Sequence, residues 1–281
     1  MGNLPDLFDL SGRLAVVTGG AGLLGSEFSK TLFQAGAITV VADIDEDAAR
    51  SLAKDLNEHT QPGKTSSRAI AVQVDITSKG SVDELFRKVS DDNHHVDILI
   101  NAAVIDPKFD PDSLVESDSK VGFEEYPLEQ WQQALDVNLT GVFLCCQAAG
   151  KLMVSQGGGV MVNVSSIYGI VGPDQRLYQS SEKPDMYKPA FYPTTKAGIL
   201  GLTRFLATYY AGKNIRVNAL TPGGVFNEHD QDFVEAYSSR TVLGRMAEKN
   251  EMNGALLFLA SDASSYMTGS NLVVDGGWTT W

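Results

Sequence analysis

Thr18-Gly19-Gly20-Ala21-Gly22-Leu23-Leu24-Gly25 follows directly on the apolar run 14–17 and leads into a helix-period stretch, 26–35. Glycines between a strand and a helix permit a tight turn and close approach of the backbone. The helix N-terminus behind them offers free N–H groups and a positive dipole end to a pyrophosphate. The same string could serve as a plain strand-to-helix turn, so its setting decides. Further β-branched runs recur at 38–42, 69–74, 96–100, 160–164, 215–220 and 271–274, with longer segments of helical period between them. Apolar runs of this kind read as strands buried on both faces of a parallel sheet. In the segment 81–90, Val82, Leu85, Phe86 and Val89 fall at i, i+3, i+4 and i+7, and Ser81 with Glu84 reads as a capping box. Seven strands joined by helices predict an α/β fold, a doubly wound (Rossmann) seven-stranded parallel sheet with helices on both faces. It forms a single domain over 1–281.

Composition removes several classes of function. A chain of 281 residues needs no disulfide or metal to hold a core. With 35 acids against 22 Lys and Arg, a formal charge of -13 leaves no basic stripe for nucleic acid. Cys145 and Cys146 are adjacent, a poor arrangement for a disulfide, and fit a reducing compartment. Residues 1–13 lack a basic region followed by an apolar core, and no apolar run approaches the roughly 20 residues of a membrane span. The expectation is a cytoplasmic protein without a membrane partner. Met1-Gly2 is not followed by the Ser or Thr that myristoylation requires, since the sixth residue is Asp6. His94-His95 has no further ligands at metal spacing, so no metal is expected. Asn138-Leu-Thr and Asn163-Val-Ser match the glycosylation pattern but lie in predicted buried elements.

Two stretches break the alternation. Residues 105–126 are polar, with Pro107, Pro111 and Pro127 in or beside them, and 172–189 carry three prolines and mixed charge. Loops this long in a compact domain are commonly functional lids. A third candidate lid, 224–246, contains Asn227, His229 and Arg245. The first two follow strands at the edge where ligands bind in this fold. Lys108, Lys120, Arg176, Lys183 and Lys188 fall in the first two loops; they could meet a phosphate or carboxylate on a substrate, or be solvated loop charge. The polar lids suit a hydroxyl-rich ligand better than a steroid or acyl chain.

Asp43 ends the second strand, where a carboxylate can accept both ribose hydroxyls of an adenosine and repel a 2′-phosphate. Ile44 follows it, and no Arg or Lys stands in the glycine-rich turn or just after the second strand. The expected cofactor is therefore NAD.

Thr18 to Gly25, Asp75-Ile76-Thr77, Asn101-Ala102-Ala103, Asn138 in Val-Asn-Leu, Ser165-Ser166, Tyr192-Pro-Thr-Thr-Lys196, Pro222-Gly223 and Val274-Asp275-Gly276-Gly277 occur in this order along essentially the whole chain. Together they resemble the short-chain dehydrogenase/reductase superfamily. The resemblance implies Gly19, Gly22, Leu23, Leu24, Gly25, Asp43 and Ile44 around the nucleotide. It implies Asp75 and Ile76 at the adenine, Asn101, Ala102 and Ala103 at the adenosine ribose side, and Pro222, Gly223 and Val225 toward the nicotinamide. Two features depart from the single-domain pattern. Gly19 and Gly22 are separated by two residues, as in the longer sugar-nucleotide branch, and Ala103 stands where the common motif has Gly. The stretch 165–175 is also loosely similar to members linked to bacterial surface-sugar and flagellin-glycan synthesis.

Tyr192 and Lys196 are four apart, hence on one face of a helix. A phenol titrating near 10 must fall by about three units to act as a base near neutrality, and an ammonium about 4 Å away supplies roughly that. Spacing alone does not select this pair, because Tyr209 and Lys213 share it. By resemblance, Ser166 binds the substrate oxygen, Tyr192 exchanges its proton, Lys196 holds the ribose and lowers the phenol pKa, and Asn138 anchors a water relay. Ser165 would replace Ser166 if the strand ended one residue earlier.

The expected function is NAD-dependent oxidation of a secondary alcohol, or reduction of its ketone, on a polar, sugar-like small molecule. The family's habit implies a homo-oligomer, dimer or tetramer. Two other readings stand beside this one: a nucleotide-sugar epimerase or dehydratase that keeps NAD bound, and a redox-sensing NAD-binding protein.

Overall fold

The seven apolar runs become seven parallel strands in one sheet, in a computed structural model that describes residues 4–59, 67–91, 95–106, 121–178 and 186–281. They are β1 (Leu14–Thr18), β2 (Ile38–Asp43), β3 (Arg68–Gln73), β4 (Ile98–Asn101), β5 (Gly159–Val164), β6 (Ile215–Pro222) and β7 (Asn271–Val274). Their order, β3-β2-β1-β4-β5-β6-β7, reverses between β1 and β4. Each observed bound lies within two residues of the sequence reading. Every residue of β1 and β4 is buried, as continuous apolar runs require of central strands.

Successive strand residues serve opposite layers. Val16 joins a cluster with Leu85 and Phe86 of α3 (Lys79–Asp91), Cys145 and Met153 of α5 (Val142–Gln156) and Ile199 of α6 (Phe191–Tyr209). Its neighbours Ala15 and Val17 pack instead on Phe28 and Leu32 of α1 (Leu23–Gln34) and on Leu256 of α8 (Asn253–Ala260). Helix α2 (Glu46–Glu58) covers β2 and β3 through Ala49, Ala53 and Leu56. Helices α4 (Leu128–Leu135) and α7 (Gln231–Ser238) complete the set. Residues after Gly223 add α7, α8 and the edge strand β7 to the same sheet, and so make one Rossmann-type domain.

Three local readings are corrected. The capping box Ser81/Glu84 does not form: α3 starts earlier, Ser78 Oγ accepts from Ser81 N (3.3 Å), and Glu84 pairs with Arg87. The Thr77 hydroxyl is taken up by Asp75 Oδ1 (2.7 Å), which leaves Ser78 to meet the helix end, and Ser81 Oγ instead accepts from Asp75 N (3.0 Å). The apolar-run criterion also missed a continuous helical rod, Leu128–Gln156, long and apolar enough by length and composition to cross a membrane; 44% of its best window is buried inside the protein. Lastly, the long loops are not wholly irregular. Gln175–Tyr178 forms a 3-10 turn in the second, and α7 occupies the middle of the third. Asn138 and Asn163 are buried, as their predicted elements required, and Cys145 and Cys146 are buried free thiols.

Candidate active site

At the switch point the glycine-rich turn is built by contacts that leave no room for side chains. Gly19 adopts φ 63°, and a Cβ there would lie 2.6 Å from Ala103 Cα, so the turn presses on the backbone after β4. A Cβ on Gly25 would lie 1.9 Å from Gly19 O, which packs the first turn of α1 onto the loop before it. Gly22, exposed, is the N-cap of α1 and supplies no side-chain cap, so the N–H groups of the first turn remain available to a ligand. Asp43 braces this loop: Oδ2 accepts from Ala21 N (2.9 Å) and Oδ1 from Asp45 N (3.1 Å). Each oxygen keeps further accepting capacity. Ile44, 67% exposed, borders an open cleft with Asp75, Thr77, Gln132, Asp136 and Val137. An uncapped helix end, an adjoining carboxylate and a cleft beyond it fit a dinucleotide.

At Ile76 and Asn101 the side chains are already engaged, which leaves the main chain for the expected contacts. The Ile76 side chain is buried against Gly141, and Asn101 Nδ2 donates to Asn163 Oδ1 (2.8 Å) and Cys146 Sγ (3.2 Å), tying β4 to β5. Ala102 N donates to Thr18 O (3.1 Å). Pro222 closes β6, Gly223 N donates to Val274 O (2.9 Å), and Val225 bridges to Ala247.

Ser166, Tyr192 and Lys196 converge at the carboxyl end of β5. Lys196 Nζ, buried, donates to Val164 O (2.9 Å) and lies 5.8 Å from the Tyr192 ring centre. Ser165 Oγ is committed to Lys196 O (2.8 Å), whereas the Ser166 hydroxyl, which accepts from Tyr168 N (3.2 Å), hydrogen-bonds the Tyr192 phenol and lowers its pKa. The geometry thus brings Ser166, not Ser165, to the phenol. Tyr209, with the same spacing to Lys213, is 67% exposed and remote from any such set.

The electrostatics differ from the expectation that Lys196 lowers the phenol pKa. In the protein alone, burial drives Tyr192 well above the ordinary tyrosine value, and the Asp106 carboxylate drives it further. Burial lowers Lys196 to about 8, with Asp106 opposing and Lys188 adding to the shift. The Lys196 ammonium spends a hydrogen bond on Val164 O, while the Asp106 carboxylate, unforeseen from the sequence, hydrogen-bonds the phenol.

Asp106 arrives there through Asn138. Residues Asp136–Gly141 form a π-turn between α4 and α5, and the buried Asn138 side chain grips the backbone of Ile105, accepting from its N (2.7 Å) and donating to its O (2.9 Å). Both ends of the Asn138 amide are thereby used in rooting the first lid. In the second lid, Gln175 brackets Lys188 by donating to its O (3.0 Å) and accepting from its N (2.8 Å). The Lys188 ammonium, 6% exposed, pairs with Asp106 and sits 4.0 Å above the centre of the Tyr192 ring. Of the five loop cations, Lys188 enters the site. Arg176 pairs with Asp174 on the surface, and Lys108, Lys120 and Lys183 lie outside the described residues.

The third lid is aromatic inside. His229, Phe233 and Tyr237, one helical turn apart, stack in succession (4.9 and 5.9 Å between ring centres), and Trp278 stacks on Tyr237 (4.3 Å). Tyr178 reaches Phe233 (5.6 Å) and shares a hydroxyl contact of 2.8 Å with Tyr168, whose ring meets Tyr192 edge-on. This wall was missed because the lid's composition is polar; the 229/233/237 spacing was the signal for it. Burial and Lys188 lower the His229 pKa, against Asp106, so one described residue from each of the three loops lies near this point. Arg245 instead pairs with Glu251 (2.5 Å) on the surface.

A family model described as enoyl-(acyl carrier protein) reductase matches residues 21–279. The NAD-dependent glycerol dehydrogenase of Listeria innocua is 32% identical over 277 residues, covering 97% of this chain and 96% of that one. A short chain dehydrogenase of Leptospira borgpetersenii, solved with bound NAD+, superposes with a TM-score of 0.81 at 33% identity, covering 99% of this chain and 96% of the other. A gluconate 5-dehydrogenase of Burkholderia cenocepacia in complex with NADP and tartrate superposes with a TM-score of 0.84 at 27% identity, covering 99% and 100%.

Proposed function

The chain belongs to the short-chain dehydrogenase/reductase superfamily, and from that premise we propose that it is an NAD-dependent dehydrogenase interconverting a secondary alcohol and its ketone on a polar, sugar-like small molecule. The observation that carries this reading is the meeting of Ser166, Tyr192 and Lys196 at the strand edge that also holds the glycine-rich turn and Asp43. Relatives acting on glycerol and gluconate support the substrate class. The whole chain works as one dehydrogenase domain, with lids 105–126, 172–189 and 224–246 over the substrate mouth.

When bound, the nicotinamide supplies the hydride acceptor or donor. Ser166 Oγ hydrogen-bonds the substrate oxygen, and Tyr192 Oη takes the carbinol proton during oxidation or returns it during reduction. Lys196 keeps two N–H protons beyond the one given to Val164 O, and these hold the ribose hydroxyls. Asn138 is a positioning residue that fixes the root of the first lid. Gly19, Gly22, Leu23, Leu24 and Gly25 hold the pyrophosphate, Asp43 the ribose, and Ile44, Asp75 and Ile76 the adenine. The main chain at Asn101, Ala102, Ala103, Pro222, Gly223 and Val225 lines the remainder of the cofactor path.

NAD is favoured over NADP because Asp43 meets the ribose edge and the first cation after β2, Arg50, is engaged with Glu46 (2.5 Å). Asp43→Ala removes two charge-assisted bonds to the ribose and the repulsion of a 2′-phosphate. The NAD/NADP ratio of kcat/KM is expected to fall about 100-fold. Parallel kinetics with both cofactors check this.

The pH profile follows from the same groups. A phenol raised by burial and by Asp106 supplies little phenolate at neutrality, so oxidation speeds up as pH rises toward the phenol pKa. Asp106→Asn removes a negative neighbour that disfavours phenolate, so the rising limb of kcat/KM shifts to lower pH, by about one unit. A profile from pH 6 to 11 reads the shift; movement to higher pH would contradict the assignment.

Leu128, Phe143, Val154 and Phe205 expose apolar side chains on α4, α5 and α6, which supports a homo-oligomer built through these helices. A cytoplasmic location accords with the two free thiols. The nucleotide-sugar alternative is supported by the Gly19/Gly22 spacing but opposed by the use of residues after Gly223 within the one sheet. NADH formation from NAD, read beside chromatographic analysis of product, with alditols, sugar acids, nucleotide sugars and hydroxysteroids tests the choice. Turnover of alditols or sugar acids supports the proposal, and turnover of nucleotide sugars without net NADH overturns it.

A further inference from the structure

Asp106 is a carboxylate placed where it hinders the proton carrier. It hydrogen-bonds the Tyr192 phenol and disfavours the phenolate that oxidation needs. Its position is nonetheless enforced from two sides. Asn138 uses both ends of its amide on Ile105, the residue before it, and the Lys188 ammonium, which Gln175 holds through both backbone groups, pairs with the carboxylate itself. A group fixed this firmly beside the reacting atoms, to the detriment of the base, has its use in the complex with substrate. The neighbouring polar groups narrow that use. The Tyr168 and Tyr178 hydroxyls hydrogen-bond each other (2.8 Å), and Tyr237 Oη accepts from Gly224 N. The Asp106 side chain, 42% exposed, keeps accepting capacity beyond Lys188 and the phenol, since a carboxylate has about four lone-pair sites.

We propose that Asp106 is a specificity-determining residue that accepts a hydrogen bond from a hydroxyl on the carbon next to the reacting carbinol, and that the substrate class is therefore the vicinal diol. The inference rests on the dehydrogenase reading and names the substrate class within it. An ionised carboxylate accepts and does not donate, so its ligand must bring a proton. An ammonium would bring one, but it would also meet the Lys188 and Lys196 charges that stand by the same ring, 4.0 and 5.8 Å from its centre. A hydroxyl meets the carboxylate without that repulsion. The spacing agrees with a neighbouring carbon: phenol and carboxylate present two acceptor oxygens about 3 Å apart, and gauche hydroxyls on adjacent carbons span about the same distance. Once the second hydroxyl donates to Asp106, the carboxylate has a donor other than the phenol and weighs less on the phenolate.

The test uses the full-length protein and NAD with butane-2,3-diol, 3-methoxybutan-2-ol, butane-1,3-diol and butan-2-ol, which share one methyl carbinol and differ in what stands beside it. The parent protein is expected to favour butane-2,3-diol over each of the others by about 30-fold or more in kcat/KM, as a charge-assisted hydrogen bond implies. The methyl ether accepts but has no proton to donate, so it should fall with butan-2-ol. An ether or a butane-1,3-diol that matches butane-2,3-diol overturns the proposal. Asp106→Asn, which keeps a neutral acceptor, should lower the ratio of butane-2,3-diol to butan-2-ol about fivefold, and Asp106→Ala about 30-fold. A residue that only roots the first loop would slow all four alcohols alike and leave that ratio unchanged, which overturns the proposal. NADH binding and thermal melts establish that each variant is folded. Saturation-transfer NMR of the same alcohols on the NADH complex separates the two readings. Diol-selective binding that is lost in Asp106→Ala, without turnover of any alcohol, keeps the subsite and removes the dehydrogenase. Turnover without preference for the diol removes the subsite alone, and the absence of both turnover and diol-selective binding removes both.

Discussion

Tyr192→Phe is expected to lower kcat for alcohol oxidation by about 10³-fold, within the range removed with a general acid–base group, while NADH affinity stays within about threefold. The substitution deletes one oxygen and leaves the surroundings their own supports. Lys196 keeps its bond to Val164 O, Ser166 its contact with Tyr168 N, and Lys188 its place above the ring. The site therefore keeps its shape and loses its proton carrier. Steady-state kinetics with a fluorescence titration of NADH separate the two effects. Activity within tenfold of the parent would show that the proton travels by another group. Tyr209→Phe, on the exposed decoy pair, should change neither quantity.

Gly25→Ala is expected to lower NADH affinity about 100-fold or more and to destabilise the protein. Its Cβ would lie 1.9 Å from Gly19 O, backbone against backbone, and no rotamer relieves that overlap. Overpacking of this kind costs about 1–3 kcal/mol, occasionally more. Here the displacement falls on the loop whose N–H groups are to meet the pyrophosphate. Thermal melts read both consequences, because ligand raises stability in proportion to ln(1 + [L]/Kd). The parent should gain stability with NADH, and the variant should start lower and gain little. Gly22, whose added Cβ would meet Gly19 O at 3.2 Å, gives a milder contrast. An unchanged NADH affinity in Gly25→Ala would remove this loop from the nucleotide site.

What could be read in the sequence follows the range of the interactions involved. The strands were legible because a parallel sheet covered on both faces demands apolar runs, and β1 and β4 are buried at every residue, polar only at their last. The glycine turn was legible because it follows directly on the end of β1, whereas Ser166, Tyr192 and Lys196 were read through the resemblance, since spacing alone left Ser165 and the Tyr209/Lys213 pair beside them. Asp106 was not legible as a neighbour of the phenol, because its position depends on Asn138 gripping Ile105 from 33 residues away. Lys188 was visible only as one of five loop cations, and its selection comes from pairing across 82 residues. The capping error at Ser81 has a local cause: Ser78 and Ser81 compete for one helix end, and only the path of the preceding turn decides between them.

The Tyr237–Trp278 stack has a consequence for biosynthesis. Strands β1 to β4, with the glycine turn and Asp43, are complete in sequence by Asn101, whereas the aromatic wall of the substrate site waits for Trp278. Synthesis runs at about 5–20 residues per second and a domain folds as a unit, so roughly ten to thirty seconds separate the two points on the ribosome. Over that interval β1 lacks the cover that α5, α6 and α8 give to Val16 and Val17, so the glycine turn and the aromatic wall take their final form together.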